Sequence, residues 1–379
     1  MIKSYSASTR EIDDASAAVT EIKEALDLEN NLLTNSLGIV SCFSEFETTG
    51  VLKEICDALP FDCIGITSAL CSVTGETDQI IFTITVLTSD DCEFKTSLIP
   101  IDEDYEKNIN SSVSPLLKQC EKSPSLILGY FPLIHTIGGD MILAALDKAT
   151  GGIPIFGTVA IDHTMDFKTS MTIYNGNAYR EHAVLGAIYG EIDATYQIAT
   201  LSEEKIRKQR AIITKSQGSL LISVNDKTVS EYLNEVGVSE SDMLGIVPFV
   251  VGYDEGRTLI ARAVYALTPE GSAACAGIMP EGATLSIGRI DEHDVQLTTK
   301  EAINRITDDG YFVLVYSCVA RYFALGLSAD KEVEEISKAK SDKDYHFAYS
   351  GGEICPVKNA DGKLKNFYHN FTIVMCKIR

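Results

Sequence analysis

Apolar positions along this chain follow a helical period first and shorter strand-like runs afterwards. An amphipathic helix is predicted near the N-terminus, because apolar residues there recur every three or four positions. They are Ile12, Ala15, Val19, Ile22 and Leu26. Ser8 and Glu11 have the spacing of a capping box, so the helix is predicted to begin at Ser8. Strands are predicted where apolar and β-branched residues cluster, at 37–44, 63–68, 79–88, 126–132 and 153–159.

The pattern changes after residue 168. Runs at 169–174 and 181–189 flank Asn175-Gly176-Asn177, a turn sequence that favours a β-hairpin. The charged segment 203–210 then interrupts the apolar runs and is predicted to be a linker. Since 379 residues exceed one ordinary core, we predict two domains, 1–210 and 211–379.

The second part again mixes both kinds of element. Gly- and Pro-rich turns separate strand-like runs at 248–253, 258–266 and 283–290, and a helix is predicted at 294–306. The predicted fold class is therefore α/β in the broad, mixed α+β sense. Each of the two domains is predicted to hold a mixed, largely antiparallel sheet flanked by helices. No convincing internal repeat is visible in the sequence.

Composition excludes several classes of partner. The chain has 54 acidic and 32 basic residues, a formal net charge of −22, which would repel nucleic acid and anionic lipid. No apolar run is long enough to span a membrane, and the N-terminus has no apolar signal core. The ten cysteines show no C-x-x-C spacing and read as core thiols. We therefore expect a cytoplasmic protein that binds neither nucleic acid nor membrane.

Common catalytic and metal-binding motifs are absent from the sequence. There is no G-x-S-x-G elbow, phosphate-binding loop, H-E-x-x-H or G-x-G-x-x-G, and no histidines at short ligand spacing. A non-enzymatic role without a metal is the expectation. Asp162 and His163, with Asp166 nearby, form a compact polar group that could hold a ligand or a cation, although a solvated loop is the commoner fate of such a group.

The strongest candidate site lies near the C-terminus. Tyr349-Ser350-Gly351-Gly352-Glu353-Ile354-Cys355-Pro356 places one carboxylate among apolar residues, where an unpaired charge is costly. The polar side chains of the segment 369–372 follow shortly afterwards and are predicted to converge on it. Arg321, which follows a very apolar strand, could pair either with Glu353 or with a ligand carboxylate.

These residues resemble motifs of the FIST family, whose paired N and C domains serve as sensory modules for small ligands in signalling proteins. The resemblance is strongest at 317–321, at 349–356 and at His369-Asn370-Phe371-Thr372, and looser at 154–157 with Asp162. It implies a sensor for an amino acid or a related metabolite. The ligand-binding residues would be Arg321, Tyr349, Gly351, Gly352, Glu353, His369, Asn370 and Thr372.

The resemblance also carries expectations about partners and cofactors. Because no kinase, cyclase or methyl-accepting segment is attached, the signal is expected to pass to a separate protein such as a kinase or a cyclase. Some relatives are thought to bind haem as gas sensors. In this chain His135, His163 or His182 would have to serve as the haem ligand, although none lies in a haem motif.

Two other readings stay open at the sequence level. In the first, the protein is an enzyme in which burial raises the pKa of Glu353, which acts as general base with His369 as its acid partner. In the second, the motif is a buried hydrogen-bond network that only stabilises the C-terminal sheet.

Overall fold

The structure is a computed structural model and describes residues 1–164, 166–243, 245–253, 258–306, 312–339, 344–358 and 362–379. Among these residues it is a mixed α+β fold of several mostly antiparallel sheets and helices, which confirms the predicted fold class. None of the described helices combines the length and apolar character needed to cross a lipid bilayer.

The helices, in chain order, are α1 (Ala15–Leu26), α2 (Leu28–Asn31), α3 (Glu45–Thr48), α4 (Val51–Asp57), α5 (Tyr105–Leu116), α6 (Gly139–Thr150), α7 (Val229–Glu235), α8 (Glu240–Met243), α9 (Glu292–Arg305), α10 (Val319–Leu325) and α11 (Asp330–Ala339).

The strands up to the charged linker are β1 (Lys3–Thr9), β2 (Asn35–Cys42), β3 (Asp62–Thr67), β4 (Cys71–Val73), β5 (Glu76–Asp78), β6 (Phe82–Ser89), β7 (Glu93–Pro100), β8 (Leu126–Phe131), β9 (Ile155–Val159), β10 (Thr172–Tyr174), β11 (Asn177–Tyr179), β12 (His182–Tyr189) and β13 (Ala194–Ala199).

The later strands are β14 (Ala211–Gln217), β15 (Leu220–Val224), β16 (Lys227–Thr228), β17 (Phe249–Tyr253), β18 (Thr258–Arg262), β19 (Val264–Leu267), β20 (Ala273–Cys275), β21 (Thr284–Ile287), β22 (Phe312–Cys318), β23 (Tyr345–Ser350), β24 (Glu353–Lys358), β25 (Leu364–His369) and β26 (Ile373–Ile378).

The predicted start of the first helix is wrong. Residues 3–9 form strand β1, and helix α1 begins after Asp14, whose side chain accepts a hydrogen bond from the Ala17 amide. The Thr9 hydroxyl accepts from the Glu11 amide, so the residues near the expected capping box close a turn at the end of a strand. Of the predicted apolar face, Ile22 and Leu26 are buried, together with Ala18. Ile12, Ala15 and Val19 are partly buried against the same cluster, and Ile12 precedes the helix.

The chain contains a threefold structural repeat. Sheet I has the order β1-β6-β2-β3-β10-β11, sheet II β7-β12-β8-β9-β24-β25, and sheet III β13-β26-β22-β23-β4-β5. Each sheet has one parallel pair at the same place, β2–β3, β8–β9 or β22–β23, and the connection of each pair contains a helix. The three sheets therefore share one topology. The sequence alone did not reveal this repeat.

The repeats exchange their hairpins in a ring. Hairpin β4–β5 follows β3 in the chain but pairs with β23 of sheet III. Hairpin β10–β11 follows β9 but pairs with β3 of sheet I, and β24–β25 follows β23 but pairs with β9 of sheet II. Sheets II and III thus contain strands from both sides of residue 210.

A fourth sheet interrupts the third repeat. Sheet IV has the order β18-β17-β21-β14-β15-β20-β19, with β16 paired to β15, and stands in the chain between β13 and α9. The first two repeats run directly from the equivalent strand to their helix, from β1 to α1 and from β7 to α5. Sheet IV is therefore an insertion with its own apolar core, which includes Phe249, Val251 and Leu285.

The common core lies where sheets I, II and III face one another. Ile39 of sheet I, Tyr130 of sheet II and Tyr316 of sheet III belong to one buried cluster, and the Tyr316 hydroxyl donates to the Tyr130 hydroxyl at 2.9 Å. The opposite face of each sheet is covered by its own helices. This arrangement places each exchanged hairpin beside a helix of another repeat.

Candidate functional site

Each of the three equivalent junctions between an exchanged hairpin and a helix has a cavity, although the second cavity lies at the end of its helix and the third at the start of its helix. At the first junction, hairpin β4–β5 and helix α11 line an open groove of about 510 Å³. At the second, the β10–β11 turn and the end of α4 line a shallow depression of about 330 Å³. The third junction, between β25 and α6, is covered by sheet IV and retains a cavity of only about 20 Å³, room for about one water molecule. We call this third place the capped junction.

Residues from three parts of the chain line the capped junction. Pro132 to Gly139, the segment that leads into α6, forms one wall, and Tyr368 of β25 forms another. Sheet IV supplies Tyr265 and the turn after Cys275. One contact fastens the insertion here, because the Ile278 amide donates to Asp140 Oδ2. Within the insertion, the Tyr253 hydroxyl donates to the Ile278 carbonyl.

Glu353 begins β24 next to this junction and is fully buried, as the sequence predicts. Its Oε1 accepts from the Ser350 hydroxyl at 2.9 Å, and its Oε2 accepts from the Thr372 hydroxyl at 2.5 Å. Burial raises the pKa of Glu353 to about 8, and the hydrogen bonds from Thr372 and Ser350 act in the opposite direction. The group is therefore mainly a neutral carboxylic acid at pH 7.

The threefold repeat shows that the fold does not require a carboxylate at this position. Glu353 lies opposite Thr158 in β9, and Thr172 lies opposite Ile66 at the equivalent place in sheet I. In sheet III the equivalent residue is Cys71, which lies opposite Ala348. A threonine and a cysteine fill the same position in the other repeats, so the carboxylate is specific to the capped junction.

Glu353→Gln should remove a pH dependence of stability. The pKa of Glu353 is about 8 in the folded protein and about 4.5 in the unfolded chain, so its stabilisation is complete below pH 4.5 and is lost as the pH rises towards 8. The free energy of unfolding of the wild type should fall by up to about 1.4 kcal/mol per pH unit between pH 6.5 and 8. Urea titrations at both pH values check this.

Two buried histidines contribute a smaller slope of the opposite sign. Burial lowers the pKa of His346 and of His369 to about 3, so both are neutral in the folded protein, whereas in the unfolded chain each has a pKa near 6.5 and is half protonated at pH 6.5. Their destabilising effect is common to wild type and Glu353→Gln, so the difference between the two slopes isolates Glu353. An equal slope in wild type and Glu353→Gln would refute the assignment of the raised pKa to this residue.

Arg321 pairs with neither of its predicted partners. Its Nη2 and Nε donate to Glu332 Oε1 at 2.7 and 2.9 Å, and both side chains are fully buried. The remaining donors reach Thr298, Thr299 and the Val295 carbonyl. Because a helix of the same repeat supplies Glu332, the guanidinium is held inside the fold. Arg321 is not available to a ligand carboxylate in this structure.

Tyr349 lies with Arg321 on the helical side of sheet III. Its ring is fully buried against Phe347 and Tyr322, and its hydroxyl donates to the Ala329 carbonyl at 3.3 Å. The structure therefore separates Arg321 and Tyr349 from the junction to which the other predicted residues belong.

The remaining predicted residues do come together. Thr372 bonds Glu353, and His369 lies directly opposite Glu353 in the β24–β25 pair. Asn370 Nδ2 donates to the Tyr368 hydroxyl at 3.4 Å, and that hydroxyl donates to the Gly351 carbonyl at 3.1 Å. These contacts place Gly351, Gly352 and Asn370 around the ring of Tyr368, which lines the cavity.

The residue that sequence reasoning missed is Arg262. It ends β18 and is 3% exposed. Its Nη1 donates to the Tyr368 carbonyl at 2.8 Å, and its Nη2 and Nε reach the Tyr253 hydroxyl at 3.0 and 3.3 Å. Among the described residues no carboxylate lies within ion-pair distance of it. No motif marks Arg262, because it comes close to Tyr368 only through the packing of an inserted sheet.

Two polar atoms near Arg262 are buried and lack a hydrogen-bond partner among the described residues. They are Nε2 of His369, a residue that is 4% exposed, and Oδ1 of Asp140. Buried polar atoms are rarely left unpaired, and a ligand or water commonly completes them. The capped junction therefore combines an unpaired buried cation with unused hydrogen-bonding capacity.

The secondary candidates lie elsewhere. Asp162 is fully buried, so the solvated loop expected for it is wrong: its oxygens accept from Thr164, Thr169 and Ser170 and organise the loop around them. His163 is exposed and packs against Phe43. Within the described part of the chain no group of three potential metal ligands occurs.

The histidines considered for haem do not share a pocket. His135 packs against Tyr265 and lines the cavity of about 20 Å³, a volume far below that of a porphyrin. His182 packs against Tyr179, and His163 lies against Phe43.

Comparison with known families agrees with the motifs around Glu353. The FIST N domain matches residues 36–227, and the FIST C domain matches residues 227–356. The chain belongs to the FIST family. The matches cover most of the chain, and FIST domains are associated with small-ligand sensing in signalling. No curated protein matches the chain significantly. The FIST N match reaches residue 227, beyond the boundary predicted near 211, which stays a prediction.

Proposed function

We propose that this protein senses a small metabolite, with an amino acid or a related compound as the first candidate, and that the ligand binds at the capped junction. The observation that carries the proposal is the insertion of sheet IV over one of three equivalent junctions. It adds Arg262, a buried cation with no carboxylate partner among the described residues, to the junction that already contains Glu353. FIST membership supplies the functional class.

The small size of the cavity bears on how a ligand enters. A volume of about 20 Å³ holds no metabolite, so the segment 132–138 or the turn after Cys275 must move when a ligand binds. Such a movement would separate sheet IV from sheet II, because the contacts of Ile278 with Asp140 and of Arg262 with the Tyr368 carbonyl join them. This change of surface is the proposed signal to a separate output protein such as a kinase or a cyclase.

The proposed setting is the cytoplasm. All ten cysteines are free thiols, nine of them buried, which suits a reducing compartment.

The geometry supports binding better than acid–base catalysis. A general base must be deprotonated at its working pH, whereas burial raises the pKa of Glu353 to about 8. Both of its oxygens already accept hydroxyl hydrogen bonds. His369 has the opposite shift, to a pKa of about 3, and would be a poor acid at neutral pH.

A thermal-shift screen of amino acids and related metabolites tests the proposal. A compound that binds only the native state at 100 times its Kd should stabilise the protein by about 2.7 kcal/mol. Each compound that raises the Tm is then tested on Tyr265→Ala, which removes a wall of the capped junction, and on Ser337→Ala in the open groove at the first junction. We expect the shift to be lost only in Tyr265→Ala.

Other outcomes would redirect the assignment. A shift that survives in Tyr265→Ala and disappears in Ser337→Ala would place the site in the open groove, where Asp78, Asp330 and Glu334 suit a cationic ligand. Turnover of a compound that is abolished by Glu353→Gln would favour an enzyme. A screen without any shift would contradict the sensor function for the compounds tested.

A further inference from the structure

Two arginines of this chain are buried in different hydrogen-bonding environments. Arg321 is fully buried and has a carboxylate, two hydroxyls and a carbonyl as acceptors. Arg262 is equally buried, yet its three hydrogen bonds go to one carbonyl and one phenol. A guanidinium has five N–H groups, so two of them have no acceptor among the residues that the structure describes. A buried cation in this condition is costly unless an anion completes it.

The surroundings of Arg262 fit a planar anion. The guanidinium carbon lies 5.4 Å from the centre of the Tyr253 ring and 5.8 Å from that of Tyr368. Because these rings lie beside the guanidinium, a further acceptor would approach it at its edge. Gly277 packs so closely on the guanidinium that a Cβ added to this glycine would lie 2.8 Å from Nε of Arg262. The turn that contains Gly277 also lines the cavity of the capped junction.

His369 is the second group that points to a ligand. The Tyr368 carbonyl that accepts from Arg262 belongs to the peptide that leads into His369. Its Nε2 is buried and has no partner in the described structure, and the Cys355 backbone acts to raise the pKa of the ring. In the neutral tautomer with its proton on Nδ1, Nε2 is an unprotonated acceptor.

We infer that the capped junction binds the carboxylate of a monoanionic ligand on Arg262, and that His369 takes up a proton at Nε2 as the ligand binds. This inference rests on the proposed function and specifies the ligand class and its coupling to pH. The proton comes from solvent. Before binding, the charge of Arg262 and burial both oppose protonation of His369. A bound carboxylate offsets the charge of Arg262 and offers Nε2–H an acceptor.

The other charged and titratable groups limit the ligand to a single negative charge. Glu353 lies opposite His369, and burial raises its pKa to about 8, so it adds little charge at neutral pH. Asp140 contributes a carboxylate at the start of α6 and would repel a dianion such as oxalate. Tyr253 and Tyr368 stay neutral because burial raises their pKa.

Simple anions can test the inference before the physiological ligand is known. Sodium acetate, sodium lactate and uncharged acetamide are each added at 100 mM to the wild type, with sodium chloride to equalise ionic strength, and the Tm is measured at pH 5.5 and 7.5. If the bound anion returns the pKa of His369 to its ordinary value near 6.5, affinity should be about tenfold higher at pH 5.5. For carboxylates that bind weakly, this tenfold difference in affinity predicts a rise in Tm of about 2–4 °C at pH 5.5 and little change in Tm at pH 7.5.

Three variants separate the parts of the inference. Arg262→Met should lose the response to carboxylates at both pH values and keep or raise the Tm in plain buffer, because it removes a buried charge. His369→Gln should keep a weak response that no longer differs between the pH values. Arg289→Met, at an exposed arginine of the same insertion, should respond as the wild type does.

An equal response to acetamide and acetate, or an equal response to the dianion oxalate added at the same concentration, would overturn the inference. So would an unchanged response in Arg262→Met. If the metabolite screen finds a neutral or cationic ligand whose shift requires Tyr265, the sensor function stands and the anion inference fails.

Discussion

Arg321→Met should lower the free energy of unfolding by about 3–5 kcal/mol, the usual cost of leaving one member of a buried ion pair without its partner. The change leaves Glu332 fully buried with only the hydroxyls of Ser317 and Thr299. Those hydrogen bonds also connect β22 to helices α9 and α11. Urea denaturation of wild type and variant measures the loss.

The double variant Arg321→Met with Glu332→Leu provides the control for burial. Replacing both charges by apolar groups should recover much of the loss, since a well-packed apolar pair can match a buried ion pair. Lys338→Met, which breaks an exposed ion pair with Glu334 on the same helix, should cost less than about 1 kcal/mol. Losses of similar size in Lys338→Met and Arg321→Met would contradict the role assigned to burial.

Gly352→Ala should destabilise the protein by about 3–5 kcal/mol, the combined cost of a backbone conformation that disfavours side chains and of a steric clash. Gly352 has a φ of 146°, and an added Cβ would lie 2.2 Å from the Tyr368 hydroxyl. Since Tyr368 is packed against Gly139 as well, its ring cannot move aside without displacing helix α6. Thermal or urea unfolding detects the loss.

Gly151→Ala separates the backbone cost from the clash. Gly151 also has a positive φ, 71°, but no atom lies within 4 Å of an added Cβ. This variant should lose only about 1 kcal/mol. Equal losses in both variants would show that Tyr368 does not restrict Gly352.

The sequence identified the Glu353 region but not the partners of its residues. An isolated carboxylate among apolar residues is visible in a sequence, and its burial follows from that pattern. Its partners depend on the three-dimensional arrangement: Ser350 and Thr372 reach Glu353, whereas Arg321 reaches Glu332 one helix later. The sequence suggested that Arg321 and Glu353 could pair, because it does not show that Arg321 lies in helix α10 beside sheet III whereas Glu353 begins β24 of sheet II.

The threefold repeat and Arg262 were hidden for a similar reason. A short hairpin such as β4–β5 carries no signal that it will join another sheet, and strand pairing over long separations depends on packing. Likewise Arg262 ends an ordinary strand of an inserted sheet. Arg262 becomes a candidate ligand-binding residue only in the structure, where its acceptors are a phenol and a carbonyl and the described residues provide no carboxylate.

Hydrogen–deuterium exchange with and without a compound found in the screen tests the central claim most directly, because it locates binding without a substitution. We predict slower exchange in 132–139, in 260–278 and around Tyr368, and no change in the equivalent parts of the other junctions. Protection confined to β4–β5 and α11, or unaltered exchange at all three junctions despite demonstrated binding, would contradict the assignment of the ligand site to the capped junction.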